Sequence, residues 1–341
     1  MNKRKTFSAD GHIVEPPDLW TSRIETKYKE RCPRVIDVPE GQMWVVDNVL
    51  GSSFIQGSKT GQRFDQEERS SVESYIDAFE NVRPGAYLPD EALKDMDIDG
   101  IDVHLVYPTT GLALHSMIGD TDLLSACFRA YNDFAADYCK ANPERLKAVS
   151  FLNVDDIDDA VREMERCAKM GMIGAAIPVF TERRRYFDPE YDKLWAAAQD
   201  MKFPISLHIA TNRPGPDADF RKKQLDPIRR GTRDPIINAD FWVRMSMCDL
   251  IFSGVFERFP SLRVGSVEHG MHWTVYFVSR LDYHYNQSAF GWMGYRFKED
   301  MLPTDYFHRN IWVATQEDGL EDEMRGVVHV DNILWGNDYP H

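Results

Sequence analysis

From about residue 89 onward the chain alternates short apolar runs with longer segments whose apolar residues recur every three or four positions. The runs at 101–107, 148–154, 174–180, 204–210, 262–268, 310–315 and 333–336 have strand length. They are apolar nearly throughout, the pattern of strands covered on both faces. The segment 121–141 places Leu123, Leu124, Cys127, Phe128, Tyr131, Phe134 and Ala135 on one helical face. A second helix at 156–170 stops at Gly171, a residue suited to the left-handed position after a helix. Asp188-Pro189 and Asp234-Pro235 each put a capping aspartate before a first-turn proline; the helix opened by Asp234 runs to Phe259-Pro260. Shorter helices are predicted at 91–97, 271–285 and 321–328. With an earlier strand at 7–12, this makes eight strands interleaved with helices. The prediction is an α/β chain folded as a distorted (β/α)8 TIM barrel. A doubly wound open sheet is the rival, but no Gly-x-Gly-x-x-Gly follows the first strand.

Two irregularities interrupt this rhythm. Residues 31–83 mix glycines (Gly41, Gly51, Gly57, Gly61) with short β-like pieces such as 43–46. They read as an insertion after strand 1, a small hairpin layer within a single domain spanning 1–341. The eighth helix of a complete barrel has no counterpart before His341, and the reading expects a further carboxyl-terminal segment that the sequence does not include.

Composition narrows the function. At 341 residues with 43% hydrophobic content the chain can bury a large core. A formal net charge of -15 argues against nucleic acid as the main partner. No apolar stretch reaches the roughly 20 residues that span a bilayer, so no membrane partner is expected. Met1-Asn-Lys-Arg-Lys-Thr6 lacks the apolar core of a secretory signal. Five scattered cysteines without a Cys-x-x-Cys pair fit free thiols in a reducing compartment, and the expected location is the cytoplasm.

The chemistry gathers at strand ends. Asp10 and His12 are two apart on the first strand, so both side chains face the same way. His208 ends the fifth strand, Glu268 and His269 the sixth, and Asp338 follows the eighth. Taken alone, each has a plain structural use as a cap, a core histidine or a turn residue. Together, at the carboxyl ends of barrel strands, they fit a divalent ion such as zinc, manganese or iron, with open positions for water or substrate.

These residues carry a resemblance. The strings Asp10-Gly-His12-Ile-Val-Glu-Pro-Pro-Asp-Leu-Trp20, Tyr107-Pro-Thr-Thr-Gly111, Tyr186-Phe-Asp-Pro-Glu-Tyr191, Pro204-Ile-Ser-Leu-His208, Phe256-Glu-Arg-Phe-Pro260 and Trp335-Gly-Asn-Asp-Tyr-Pro340 resemble the amidohydrolase superfamily. The similarity is to its amidohydrolase-related branch, which includes aminocarboxymuconate-semialdehyde decarboxylase. The resemblance covers essentially the whole chain. It implies a metal at the barrel mouth held by Asp10, His12, His208 and Asp338, with His269 as the acid/base and Asp338 also in the catalytic set. It departs from the decarboxylase in having Asp-x-His where that enzyme has His-x-His.

The cluster Glu268-His-Gly-Met-His272 leaves a second metal open, with Glu15 or His104 beside Glu268, His269 and His272. Strand four carries no lysine or glutamate, which argues against a carbamylated-lysine two-metal site. Arg213, the run Arg183-Arg184-Arg185, Trp20, Tyr107, Phe180 and Trp292 are candidates for a substrate wall; Arg213 is preferred over the arginine run, which also fits a solvated loop. The expected activity is non-oxidative decarboxylation or hydrolysis of a small carboxylate. The alternatives are a dinuclear iron or manganese oxygenase on the same fold and a catalytically weak subunit paired with an active homologue. A homodimer or higher oligomer is expected, with 31–83 or 271–285 in the interface.

Overall fold

The computed structural model describes residues 5–61, 76–220, 238–287, 296–298, 300–316 and 326–341. The predicted helix start at Asp234, most of the predicted helix at 321–328, Trp292 and part of the 31–83 insertion lie outside these residues. The chain is α/β. Eight parallel strands form a nearly closed barrel with helices around it, the strands following one another in sequence order. By its contacts the chain divides into two compact units: one of Met1–Phe151, Asp217–Arg230 and Asn337–His341, the other of Leu152–Pro216 and Gly231–Gly336.

In the first unit, β1 (Phe7–Ile13) is buried from its second residue onward. The insertion supplies β2 (Arg34–Val38), β3 (Gly41–Val46) and β4 (Val49–Ser53), a three-stranded antiparallel sheet. Its β3–β4 turn is the two residues Asp47 and Asn48, both left-handed, as a tight hairpin requires. Trp44 of β3 packs edge-on against Trp20, and both are fully buried. Helix α1 (Pro89–Asp99) starts on a proline and ends at Gly100, whose φ of 72° only glycine adopts freely. Strand β5 (Val103–Pro108) pairs with β1, and β6 (Leu146–Phe151) pairs with β5. Helix α2 (Thr121–Cys139) opens on Asp120, whose carboxylate accepts from the Asp122 and Leu123 amides.

The second unit carries β7 (Gly174–Ile177), β8 (Ile205–His208), β9 (Val264–Val267), β10 (Ile311–Thr315) and β11 (Ile333–Trp335), all paired in parallel. Helix α3 (Ile157–Lys169) is capped by Asp156, which accepts from the Asp159 amide. Asp188 also caps, but it opens a 3-10 turn (Pro189–Tyr191) before α4 (Asp192–Asp200). Then come α5 (Asp240–Phe252), α6 (Trp273–Gln287) and α7 (Pro303–Asn310). Among the described residues no helix is long and apolar enough to cross a membrane.

Candidate metal centre

The first unit builds one cluster of donors from its first strand and its last five residues. Asp10 and His12 lie two apart on β1 and are buried. The terminal segment runs beside them. The Asp338 amide donates to Asp10 O at 2.9 Å, the His12 amide donates to Tyr339 O at 2.7 Å, and Gly11 bridges Tyr339 in parallel. Asp338 itself is left-handed (φ 54°), an uncommon conformation for a residue with a side chain, and this twist marks a strained turn.

Asp338 Oδ1 lies 3.1 Å from His12 Nε2 and 3.2 Å from His341 Nδ1. Asp10 Oδ1 stands 3.6 Å from His12 Nε2. His12, Asp338 and His341 each present a ligand atom within 4.8 Å of the others. The two rings face each other with centroids 4.1 Å apart. The His12 Nδ1–H donates to Pro108 O at 2.8 Å, the tautomer that leaves Nε2 toward the carboxylates. His341 Nε2 is 3.0 Å from Thr109 Oγ1.

The electrostatics ask for a positive charge here. Burial alone would lower the His12 pKa, but the Asp10 and Asp338 carboxylates outweigh it and raise the ring well above its ordinary value. Burial pushes Asp338 upward, and contacts with His12 and His341 more than reverse this, bringing it to about 2. Carboxylates and imidazoles converging on one point are a donor set suited to manganese, zinc or iron(II).

The second unit contributes a pair of donors, His208 and Glu268. His208 ends β8, fully buried, with Nδ1 3.1 Å from Ile209 O and Nε2 3.6 Å from Glu268 Oε2. Glu268 follows β9 in a left-handed conformation (φ 62°), and Ala210 is left-handed as well (φ 63°). His269 is buried, with Nδ1 3.1 Å from Ser266 Oγ.

Several residues expected at the site have other places. Both Glu15 oxygens are taken by backbone, accepting from Thr110 N at 2.9 Å and Gly111 N at 2.8 Å. Burial lifts this carboxyl to about 7, although both amides pull it down. His104 lies on the opposite strand face from Asp10 and His12. A Cβ on Gly11 would fall 1.6 Å from His104 Nε2, so the ring fills the space that a β1 side chain would need. Burial and the nearby His12 lower His104 to about 4. His272 is exposed just before α6. Among the described residues, Glu15, His104, His269 and His272 join no group of three or more donors within reach of a common ion.

Trp20 is fully buried and donates its indole N–H to Cys127 O at 3.0 Å. Tyr107 is buried on β5 with its ring 6.1 Å from His12. Arg213 is buried and forks onto Asp155, which also receives Arg183 Nη1 at 2.9 Å. Arg184 pairs with Glu190, and Arg185 grips Asp249. The arginine run is thus pinned by carboxylates and is not a loose charged loop.

Two functional candidates escape the sequence reading. His341 shows its role only once the terminal segment lies along β1. Ser266 is a small polar residue inside an apolar strand, which is an unremarkable signal until its hydroxyl is seen on His269.

Comparison with known proteins follows the same lines. The chain is 25% identical over 268 residues to gamma-resorcylate decarboxylase of Polaromonas sp. JS666, covering 74% of this chain and 77% of that protein. The crystal structure of an amidohydrolase from Mycobacterium avium subsp. paratuberculosis K-10 superposes with a TM-score of 0.79 at 22% identity, over 100% of this chain and 89% of that one. A dihydroxybenzoic acid decarboxylase from Polaromonas sp. JS666, with bound manganese and the inhibitor 2-nitroresorcinol, superposes with a TM-score of 0.61 at 18% identity, over 99% and 87%. The amidohydrolase family profile matches residues 76–341, most of the chain. The chain therefore belongs to the amidohydrolase family.

Proposed function

We propose that the protein is a metal-dependent decarboxylase that removes carbon dioxide from a small aryl carboxylate without an oxidant. Asp10, His12, His208 and Asp338 hold one divalent ion, with manganese the leading candidate. What supports this ligand set is the fold: in a (β/α)8 barrel the carboxyl ends of all strands open on one mouth. The observation that carries the reading is Asp338 Oδ1, within 3.1–3.2 Å of two imidazole nitrogens, in a chain related to decarboxylases. A bound ion would supply Lewis acidity toward the substrate's oxygens.

The protein's own groups do the rest. His12 keeps Nε2 available because Pro108 O holds the other ring proton. Asp338 stays ionised at neutral pH and balances the cationic site. His269, oriented by Ser266, passes a proton to the ring carbon that bears the carboxylate. That carbon takes the proton with an electron pair from the aromatic ring. The bond to the carboxylate then breaks, its electrons restore the ring, and carbon dioxide leaves. The five free thiols suit a reducing compartment, and we place the enzyme in the cytoplasm.

The test is turnover. Protein stripped by a chelator and reloaded with manganese is incubated with 2,6-dihydroxybenzoate and related ortho-hydroxybenzoates, with and without oxygen. Release of carbon dioxide and the decarboxylated phenol is expected only from the reloaded protein, equally in both atmospheres. Metal-replete protein that turns over none of these acids would sink the aryl-carboxylate reading.

A further inference from the structure

The Glu15 carboxylate is fully buried, and among the described residues its hydrogen bonds go to backbone amides. Its two oxygens accept from the consecutive amides of Thr110 and Gly111, in the 3-10 turn (Thr110–Ala113) that follows β5. A third bond, Thr109 N to Ile13 O at 3.1 Å, ties the same loop to the end of β1. The loop then reaches the metal cluster at two points. Pro108 O accepts the Nδ1–H of His12, and Thr109 Oγ1 meets His341 Nε2. The turn has no slack: a Cβ on Gly111 would lie 2.6 Å from Pro108 Cβ and 3.1 Å from Glu15 Oε1.

We infer that Glu15 is a positioning residue for the metal centre, resting on the ligand set proposed above. By gripping the turn that follows the loop, it fixes where the Pro108 carbonyl and the Thr109 hydroxyl stand. Those two groups fix the tautomer of His12 and the ring orientation of His341. The carboxylate acts two hydrogen bonds away from the His12 and His341 rings and is not itself one of the proposed ligands. A glutamine in its place presents one oxygen and one NH2, so one of the two amides loses its acceptor and faces a donor. The loop then shifts and the His12 ring loses its fixed partner. Outer partners of this kind typically change metal affinity by about 10–100-fold.

The experiment uses the full-length protein loaded with zinc, a diamagnetic ion. Zinc affinity is measured by competition with a chelating dye, and the imidazole nitrogens are read from long-range proton–nitrogen NMR spectra. Wild type is expected to show His12 as a single species with the proton on Nδ1. Glu15→Gln is expected to lose at least about tenfold in zinc affinity and to show a broadened or mixed His12 signal, with its circular dichroism unchanged. Gly111→Ala, which disturbs the same loop and leaves Glu15 in place, is expected to do likewise and serves if Glu15→Gln does not fold. Wild-type affinity together with a wild-type His12 signal in either folded variant would overturn the inference. Failure of the underlying ligand set would look different: zinc affinity in wild type would be unmoved by His12→Ala.

Discussion

The imidazole of β1 and the imidazole that follows β9 keep different company. His12 stands between two carboxylates, Asp10 and Asp338, with a carbonyl on its other nitrogen. His269 has a serine hydroxyl on Nδ1. A carboxylate pair stabilises positive charge and holds an electron-rich nitrogen in one direction. A hydroxyl can donate or accept, so it fixes a ring's position without committing its charge. The first arrangement suits holding a cation, and the second suits passing a proton back and forth. Two histidines can thus be given different tasks from the groups that hold their rings.

The largest effect should come from breaking the first arrangement. Asp338→Ala removes the atom that His12 and His341 both face. Bound metal measured by elemental analysis is expected to be lost, and decarboxylation to fall below detection. Asp338→Asn keeps the shape but not the charge, and should retain fold with much weaker metal binding. If Asp338→Ala keeps its metal, the first unit does not hold the ion and the contrast fails.

How much of this could be read from residues alone depended on the range of the determinant. Asp10 and His12 were legible because strand periodicity is local: residues two apart share a face. Asp338 was legible as a carboxylate after the last apolar run. His104 was not, because the pairing of β1 with β5 shifts register between Ser8 and Gly11, and no local pattern reports such a bulge. Arg213 looked like a substrate residue because a lone arginine after a strand carries no sign of its partner. Asp155, which neutralises it, lies 58 residues earlier. Helix α7 was missed for a similar reason: Pro303–Asn310 is short and largely polar, and much of its burial comes from Tyr306 and Phe307 meeting neighbours in space.

A smaller effect, on stability, sharpens the electrostatic half of the comparison. Glu15 has its carboxyl raised from 4.5 to about 7, with burial as the main cause. Between these values the folded protein holds a proton that the unfolded chain has released. Stability from this group is therefore complete below about pH 4.5 and is lost as pH rises through 7. The span corresponds to about 3 kcal/mol. His12, also raised, acts in the same direction, so wild type must be compared with Glu15→Gln. Urea unfolding of the metal-free proteins at pH 5 and pH 8 should show the steeper loss in wild type. Equal losses in the two proteins would mean that this carboxyl is not strained by its burial.

The smallest expected effect tests the other histidine. Ser266→Ala removes the hydroxyl 3.1 Å from His269 Nδ1 and leaves β9 otherwise as it is. Ser266 is fully buried, and losing one hydroxyl there should cost only about 1 kcal/mol of stability. If His269 transfers the proton, its ring loses one fixed orientation, and kcat should fall by roughly tenfold with KM nearly unchanged. Metal content should not move, because no carboxylate or ligand nitrogen has been touched. Ser266→Thr keeps the hydroxyl and should recover most of the rate if the added methyl fits beside β10. A change in metal content with kcat intact would assign His269 to holding the ion, and the two histidines would then share one task.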